Sequence, residues 1–198
     1  MSESKLIINP SCIEKFGPVV DQIRMTLQCT DDQVLVGIDG MCAAGKTTLG
    51  YYLKQIFQCN LFHMDDFFLT QQLRTPSRLV EIGGNVDYER FFLEVIRPIQ
   101  GKKSVIYRPY SCSLGKIEGE DQIPYERLNI IEGSYSLHPF FMEPYHLKFF
   151  MSISDEEQIR RVKLRNGEQM LARFQGEWIP KENAYFEHFM IRENSIVI

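Results

Sequence analysis

The chain has 198 residues, 44% hydrophobic and 24% charged, a balance that fits one globular domain and excludes global disorder. Its net charge is −4, from 22 Lys+Arg against 26 Asp+Glu, with no basic run, which argues against nucleic-acid and anionic-membrane partners. Five scattered cysteines (Cys12, Cys29, Cys42, Cys59, Cys112) without a C-x-x-C suit reduced thiols and give no zinc site. The opening MSESKLIINP lacks a signal peptide's apolar core, and no uncharged apolar run reaches the ~18 residues of a membrane helix. A cytoplasmic protein is expected, with oligomeric state left open.

In chain order, a helix is expected from Ser11 to Leu27, packing on the sheet or on a second subunit. Val34 to Ile38 reads as a buried strand, followed by a helix from about Lys46 with Leu49, Leu53, Ile56 and Phe57 on one face. Asn60 to His63 reads as a second strand, with His63 as buried filler. Residues 67–86, with Pro76 and Gly83-Gly84, read as a mobile segment over the sheet edge. Tyr88, Phe91, Phe92, Val95 and Ile96 mark an amphipathic helix stopped by Pro98. Strands are expected at Ser104 to Tyr107, Leu128 to Ile131 and Leu147 to Ile153, with a hairpin-like flap at 109–127 turning at Gly115 and Gly119. Ser154-Asp155-Glu156-Glu157 opens a helix running to about Gly167, another helix begins near Pro180, and Ser195 to Ile198 closes as a strand. This alternation calls for an α/β fold with a parallel sheet and helices on both faces. One domain is expected over 1–198, with 67–86 an acceptor-side insertion, 109–127 a flap and 160–176 a lid.

The strongest motif is Gly40-Met41-Cys42-Ala43-Ala44-Gly45-Lys46-Thr47-Thr48, a full G-x-x-x-x-G-K-[ST] after an apolar strand and before an amphipathic helix. The glycines let backbone N–H groups wrap an anion, and the helix N-terminus points its partial positive charge at the same place. Lys46 would reach the β- and γ-phosphates and the Thr47 hydroxyl would ligate Mg²⁺, so the chain is expected to bind a nucleoside triphosphate. Cys42, near a helix N-terminus, raises the question of a lowered pKa and redox sensitivity, against its being a small tolerated residue.

Ligands gather at the carboxyl edge of a parallel sheet, and three strands here end in acids: Asp39, Asp65-Asp66 and Glu132. Phosphoryl transfer to a hydroxyl needs a carboxylate base and acids for Mg²⁺. Asp65 is the expected base and Glu132 the expected metal ligand, with Asp66 the fallback for either. Asp87 reads as a helix cap or a substrate ligand. Arg108 and Tyr110 read as substrate contacts, or as a solvated charge and a packed aromatic. Arg160 and Arg161 have i−4 partners in Glu156 and Glu157, whereas Arg165 has none, which leaves it free to meet a γ-phosphate.

Taken together, GIDGMCAAGKTTL (37–49), HMDDFF (63–68), NVDYERF (85–91), YRPYSC (107–112), IIEGSYSLHP (130–139) and RRVKLRNG (160–167) resemble the uridine kinase and phosphoribulokinase branch of P-loop kinases, over residues 34–198. The resemblance is to the bacterial uridine-kinase-like proteins in particular. It implies a three-layer P-loop NTPase fold, ATP as co-substrate with Mg²⁺, and phosphotransfer to an alcohol group. It implies Asp65 as base and Mg²⁺-linked group, Glu132 supporting the metal together with Thr47, and Asp87 on sugar hydroxyls. Arginines of the RRV segment, Arg161 and the following Arg165, would close on the phosphates. Cys112 stands where nucleoside-specific members carry a histidine, and the lid after Arg165 is poorer in arginine. The expected function is a small-molecule kinase, foremost for a nucleoside. Alternatives are another alcohol (a sugar phosphate or pantothenate-like acceptor) and a nucleotide-binding switch without an acceptor.

Overall fold

The computed structural model describes residues 10–142 and 144–198. Helix α1 (Pro10–Cys29) leads to strand β1 (Val34–Gly40), buried along its whole length, as a central parallel strand with both faces covered must be. The loop at 41–45 gives way to α2 (Lys46–Ile56), then β2 (Asn60–His63) and a 3₁₀ turn, Met64–Phe67. The 67–86 segment has more structure than its composition suggests. It holds a 3₁₀ turn (Gln71–Leu73) and a short helix α3 (Pro76–Val80), and a bridge between Phe68 and Val86 closes its base. Arg78 laces it together, donating to the Gly84 and Val86 carbonyls at 3.0 Å each and to Glu89 at 2.6 Å.

Helix α4 (Tyr88–Phe91) does not stop at Pro98. It widens into a π turn (Phe92–Ile96) and continues as α5 (Arg97–Gln100), with the proline at the second position. A π turn resets the hydrogen-bond ladder, so the missing proline N–H falls where a helix start needs none. The same device recurs where α6 (Asp155–Arg173) passes through a π turn (Phe174–Trp178) into α7 (Ile179–His188), with Pro180 second in α7.

The strand expected near Ser104 forms, but not in the main sheet. Strand β3 (Val105–Tyr107) leaves Ile106 exposed and pairs antiparallel with β6 (Asp121–Ile123), while β4 (Tyr110–Ser111) and β5 (Lys116–Ile117) make a hairpin between them. The flap is therefore a two-tier ribbon off the sheet. The main sheet adds β7 (Leu128–Glu132), β8 (Leu147–Met151) and β9 (Ile196–Val197), in the parallel order β2-β7-β1-β8-β9.

Successive residues of these strands enter opposite cores. Leu35, Phe62, Ile131 and Phe150 pack with α4, α5 and α7 on one face. Val36, Leu61, Ile130 and Phe149 pack with α1 and α2 on the other, so α1 covers the sheet through Phe16, Val19, Val20 and Ile23. The register sets Glu132 beside Ile38 on one flank and His63 on the other, which brings three strand ends to one edge. No helix among the described residues is long and apolar enough to cross a membrane.

Candidate active site

The phosphate loop leaves β1 at Gly40, with φ 128°, where a Cβ would stand 2.2 Å from the Met151 carbonyl oxygen; only glycine fits. Gly45, at φ 104°, turns the chain into α2. Thr47 and Thr48 lie exposed at the head of that helix, where its first N–H groups have no intrahelical acceptors. Lys46 is buried, and its ammonium folds over the loop, donating to Gly40 O (2.6 Å), Met41 O (3.0 Å) and Ser134 Oγ (3.2 Å).

Asp39 shares the strand-end position but is not open to a ligand. It is fully buried and accepts from the N–H groups of Gly40 (2.7 Å), Tyr135 (3.2 Å) and Leu137 (3.0 Å) and from the Tyr185 hydroxyl (3.0 Å). Burial pushes its carboxyl up to about 6, against the pull of Lys46 and those donors. It acts as a knot joining the loop, the segment after β7 and α7.

Asp65, in the 3₁₀ turn after β2, is exposed to the cleft, and its carboxylate has no hydrogen-bond partner among the described residues. It is nevertheless ringed by protein. Desolvation by the cleft walls, then the Glu132 charge, push its carboxyl up to about 6, opposed by Lys46. Its neighbour Asp66 is taken, accepting the Tyr107 hydroxyl at 2.6 Å. The structure thus distinguishes Asp65 from Asp66, the fallback for its role in the sequence reading.

Glu132, at the end of β7, is buried against α2: a Cβ on Gly50 would come within 3.3 Å of its Cγ. Its Oε1 lies 2.5 Å from His63 Nδ1. His63 is therefore no filler. Burial disfavours its charged form, but the Glu132 bond and the charges of Glu132, Asp66 and Asp65 outweigh this and raise its pKa. The pair leaves the second carboxylate oxygen to face elsewhere.

Asp87 caps α4 by accepting from the Arg90 N–H (3.1 Å), with Arg90 Nε 3.4 Å from its second oxygen, and its own N–H reaches Phe67 O (2.7 Å). Tyr110 is buried in the flap, its hydroxyl accepting from Arg74 at 3.3 Å. Cys112 is exposed, and desolvation first, then the charges of Asp65 and Asp66, raise its thiol's pKa. Arg108 is not brought to this cleft: it pairs with Glu94 in an outer groove lined also by Ser104 and Glu120.

On the lid side, α6 breaks at Gly167 (φ 80°, ψ 170°), where the sequence places the helix end. Arg161 pairs with Glu157 at 2.6 Å and reaches the Ala43 carbonyl at 3.3 Å, so it sits on the loop's outer rim. Arg165 is exposed beside Asn166 and 5.9 Å from the Phe174 ring centroid. Gln158 donates to Cys42 O (3.3 Å) and Sγ (3.2 Å), and Cys42 packs with Val162 and Phe174. Burial pushes the Cys42 thiol up to about 12, the opposite of a reactive thiolate.

Two further residues at the loop have no role in the sequence reading. Glu182 of α7 is buried and accepts from the Cys42 N–H (3.0 Å) and the Ser134 hydroxyl (2.7 Å). The signal for Glu182 is a carboxylate on the apolar face of a helix, three and four residues before Tyr185 and Phe186. Ser134 lies within the IIEGSYSLHP segment, two residues after Glu132, where the motif marks it without giving it a role.

Among the described residues no cluster of three His, Cys, Asp or Glu side chains could enclose a metal by itself. The donor set of Thr47 hydroxyl, exposed Asp65 and half-engaged Glu132 suits Mg²⁺, which keeps waters and shares itself with substrate phosphates rather than entering an all-protein cage.

Neither a family model nor a curated protein sequence matches the chain. Solved structures do. A possible uridine kinase from Bacillus stearothermophilus superposes with a TM-score of 0.70 at 17% identity, covering 93% of this chain and 99% of that one. A candidate fructose transport system kinase from Silicibacter sp. TM1040 gives 0.67 at 20%, covering 90% and 95%. D-glycerate 3-kinase from Cryptococcus neoformans gives 0.54 at 13%, covering 89% and 90%. The chain has the P-loop NTPase fold, and its structural neighbours are uridine-kinase-like and related P-loop kinases.

Proposed function

We propose that this protein is an ATP-dependent kinase that transfers the γ-phosphate to a hydroxyl of a small molecule, as uridine-kinase-like enzymes do. The observation that carries this is Asp65. Its carboxylate is exposed at the strand-end edge without a hydrogen-bond partner among the described residues, and desolvation and the Glu132 charge, opposed by Lys46, push its pKa up to about 6. A base poised near neutrality within reach of the terminal phosphate is what transfer to an alcohol requires. The fold shared with kinases of sugars, glycerate and uridine supports the same reaction class.

In this reading the loop amides of residues 45–48 and the α2 N-terminus bind the triphosphate, and Lys46 leaves the Gly40 carbonyl for its outer oxygens while keeping Met41 O and Ser134. Thr47, Asp65 and Glu132 would hold Mg²⁺, which when bound neutralises charge on the phosphates. Asp65 takes the acceptor's proton as the hydroxyl oxygen attacks in line. His63 fixes the orientation of Glu132. Asp87 and Tyr110 belong to the acceptor wall, together with Arg74. Arg161 and Arg165 approach from the lid, which hinges at Gly167 and excludes water.

The acceptor is a nucleoside or a related alcohol. An exposed Cys112 in the flap, where nucleoside-specific relatives carry histidine, favours keeping sugar phosphates and pantothenate-like alcohols in view. The test is ADP release from Mg·ATP with a panel of nucleosides, sugar phosphates and vitamin alcohols. One acceptor should raise release well above the acceptor-free rate, with phosphorylated product in equal amount. Nucleotide binding without stimulation by any acceptor would favour a nucleotide-binding switch.

A further inference from the structure

The phosphate loop already holds an anion, and it belongs to the protein. Glu182 is buried, yet no Lys or Arg forms an ion pair with it among the described residues. Its two oxygens are spent on the Cys42 N–H (3.0 Å) and the Ser134 hydroxyl (2.7 Å). Ser134 Oγ in turn accepts from Lys46 Nζ (3.2 Å), and Lys46 Nζ donates to Met41 O (3.0 Å). Met41 C=O and Cys42 N–H are the two ends of one peptide group. The contacts therefore close into a ring: carboxylate, serine, ammonium, peptide, and back to the carboxylate.

A buried carboxylate is costly unless its partners repay it, and all of these partners lie in or against the phosphate loop. The ring polarises the 41–42 peptide from both ends, a cation at its oxygen and an anion at its hydrogen. It also fixes the one ammonium that reaches the outer phosphates. Without Glu182 the Cys42 N–H loses its acceptor and Ser134 loses the bond that turns its lone pair toward Lys46.

We propose that Glu182 is a positioning residue for Lys46, which sets how strongly the loop prefers a nucleoside triphosphate over a diphosphate. This rests on the nucleotide-binding part of the kinase reading and on no particular acceptor. The triphosphate is the ligand that depends on the lysine's direction. The diphosphate is held mainly by amides at the head of α2.

The test measures Mg·ATP and Mg·ADP affinity by calorimetry for the full chain and for Glu182→Gln, Ser134→Ala, the double variant and Lys46→Ala. Glu182→Gln and Ser134→Ala should each weaken ATP at least fivefold while changing ADP less than twofold. The double variant should lose no more than the larger single, because both break one ring. Equal loss of both nucleotides, additive effects, unchanged ATP affinity or tighter ATP binding would each overturn the proposal. Ser134→Ala, a small change, keeps the test alive if Glu182→Gln fails to fold. Wild-type binding by Lys46→Ala would instead sink the phosphate-loop reading itself.

Discussion

The proposed nucleotide side and the proposed acceptor side of the molecule are built differently. The phosphate loop is held from beneath by buried bonds of one geometry: Asp39 with four donors, Lys46 with three acceptors, Glu182 and Gln158 on the two ends of Cys42. The acceptor side is walled by the 67–86 insertion and the flap, where Leu73, Val80 and Leu114 are exposed and the strands are two or three residues long. Its main internal tie is a single arginine, Arg78. In the kinase reading the nucleotide side is preorganised, and the acceptor side is held loosely enough to change acceptor without disturbing the core.

Replacing Lys46 with Ala breaks the tight side. Acceptor-dependent turnover should fall by at least about a thousandfold, since the loop then lacks its only ammonium. The protein should still melt cooperatively, because the Asp39 knot and both sheet faces remain; an unfolded variant would show that the loop and the core are one unit.

Arg78→Ala breaks the loose side. It removes bonds to Gly84 O, Val86 O and Glu89, and the ring contact with Tyr88 at 3.8 Å. The cost should be about 1–3 kcal/mol, with acceptor KM raised and ATP affinity unchanged. If ATP affinity falls in step, the two sides are coupled and the contrast between them fails.

A smaller effect sharpens the contrast through pH. Asp65 has a folded pKa of about 6 against an ordinary 3.8, so between these values the folded chain binds more protons than the unfolded one. Its ionisation therefore lowers stability as pH rises from about 4 through 6. Asp65→Asn should raise Tm at pH 7, and the gain should vanish at pH 4. A gain that persists at pH 4, or a loss at pH 7, would show that Asp65 is not strained in the cleft.

The same division explains what the sequence made legible. The phosphate loop could be read because its chemistry is local: glycines, a lysine and a hydroxyl within nine residues, flanked by a strand and a helix. The central strands β1 and β7 were readable because double burial leaves apolar runs, as at Val34 to Ile38 and Ile130-Ile131. The run that forms β3 reads as a main-sheet strand, since a short apolar run does not reveal its partner. Pro98 reads as a stop in the sequence because a π turn has no sequence mark. Asp39 looked like Asp65 in sequence, and only the four donors around it show it closed to ligands. Glu182 lies 140 residues from the Cys42 N–H it holds, a distance no motif spans.

The most direct test of the account is single-turnover phosphoryl transfer by Asp65→Asn, with the acceptor that stimulates the wild-type chain. ATP affinity should stay within about twofold, while transfer should fall by about 10²–10⁴-fold, the contribution of a positioned base. Transfer at the wild-type rate would contradict the assignment of Asp65 as the residue that takes the acceptor's proton.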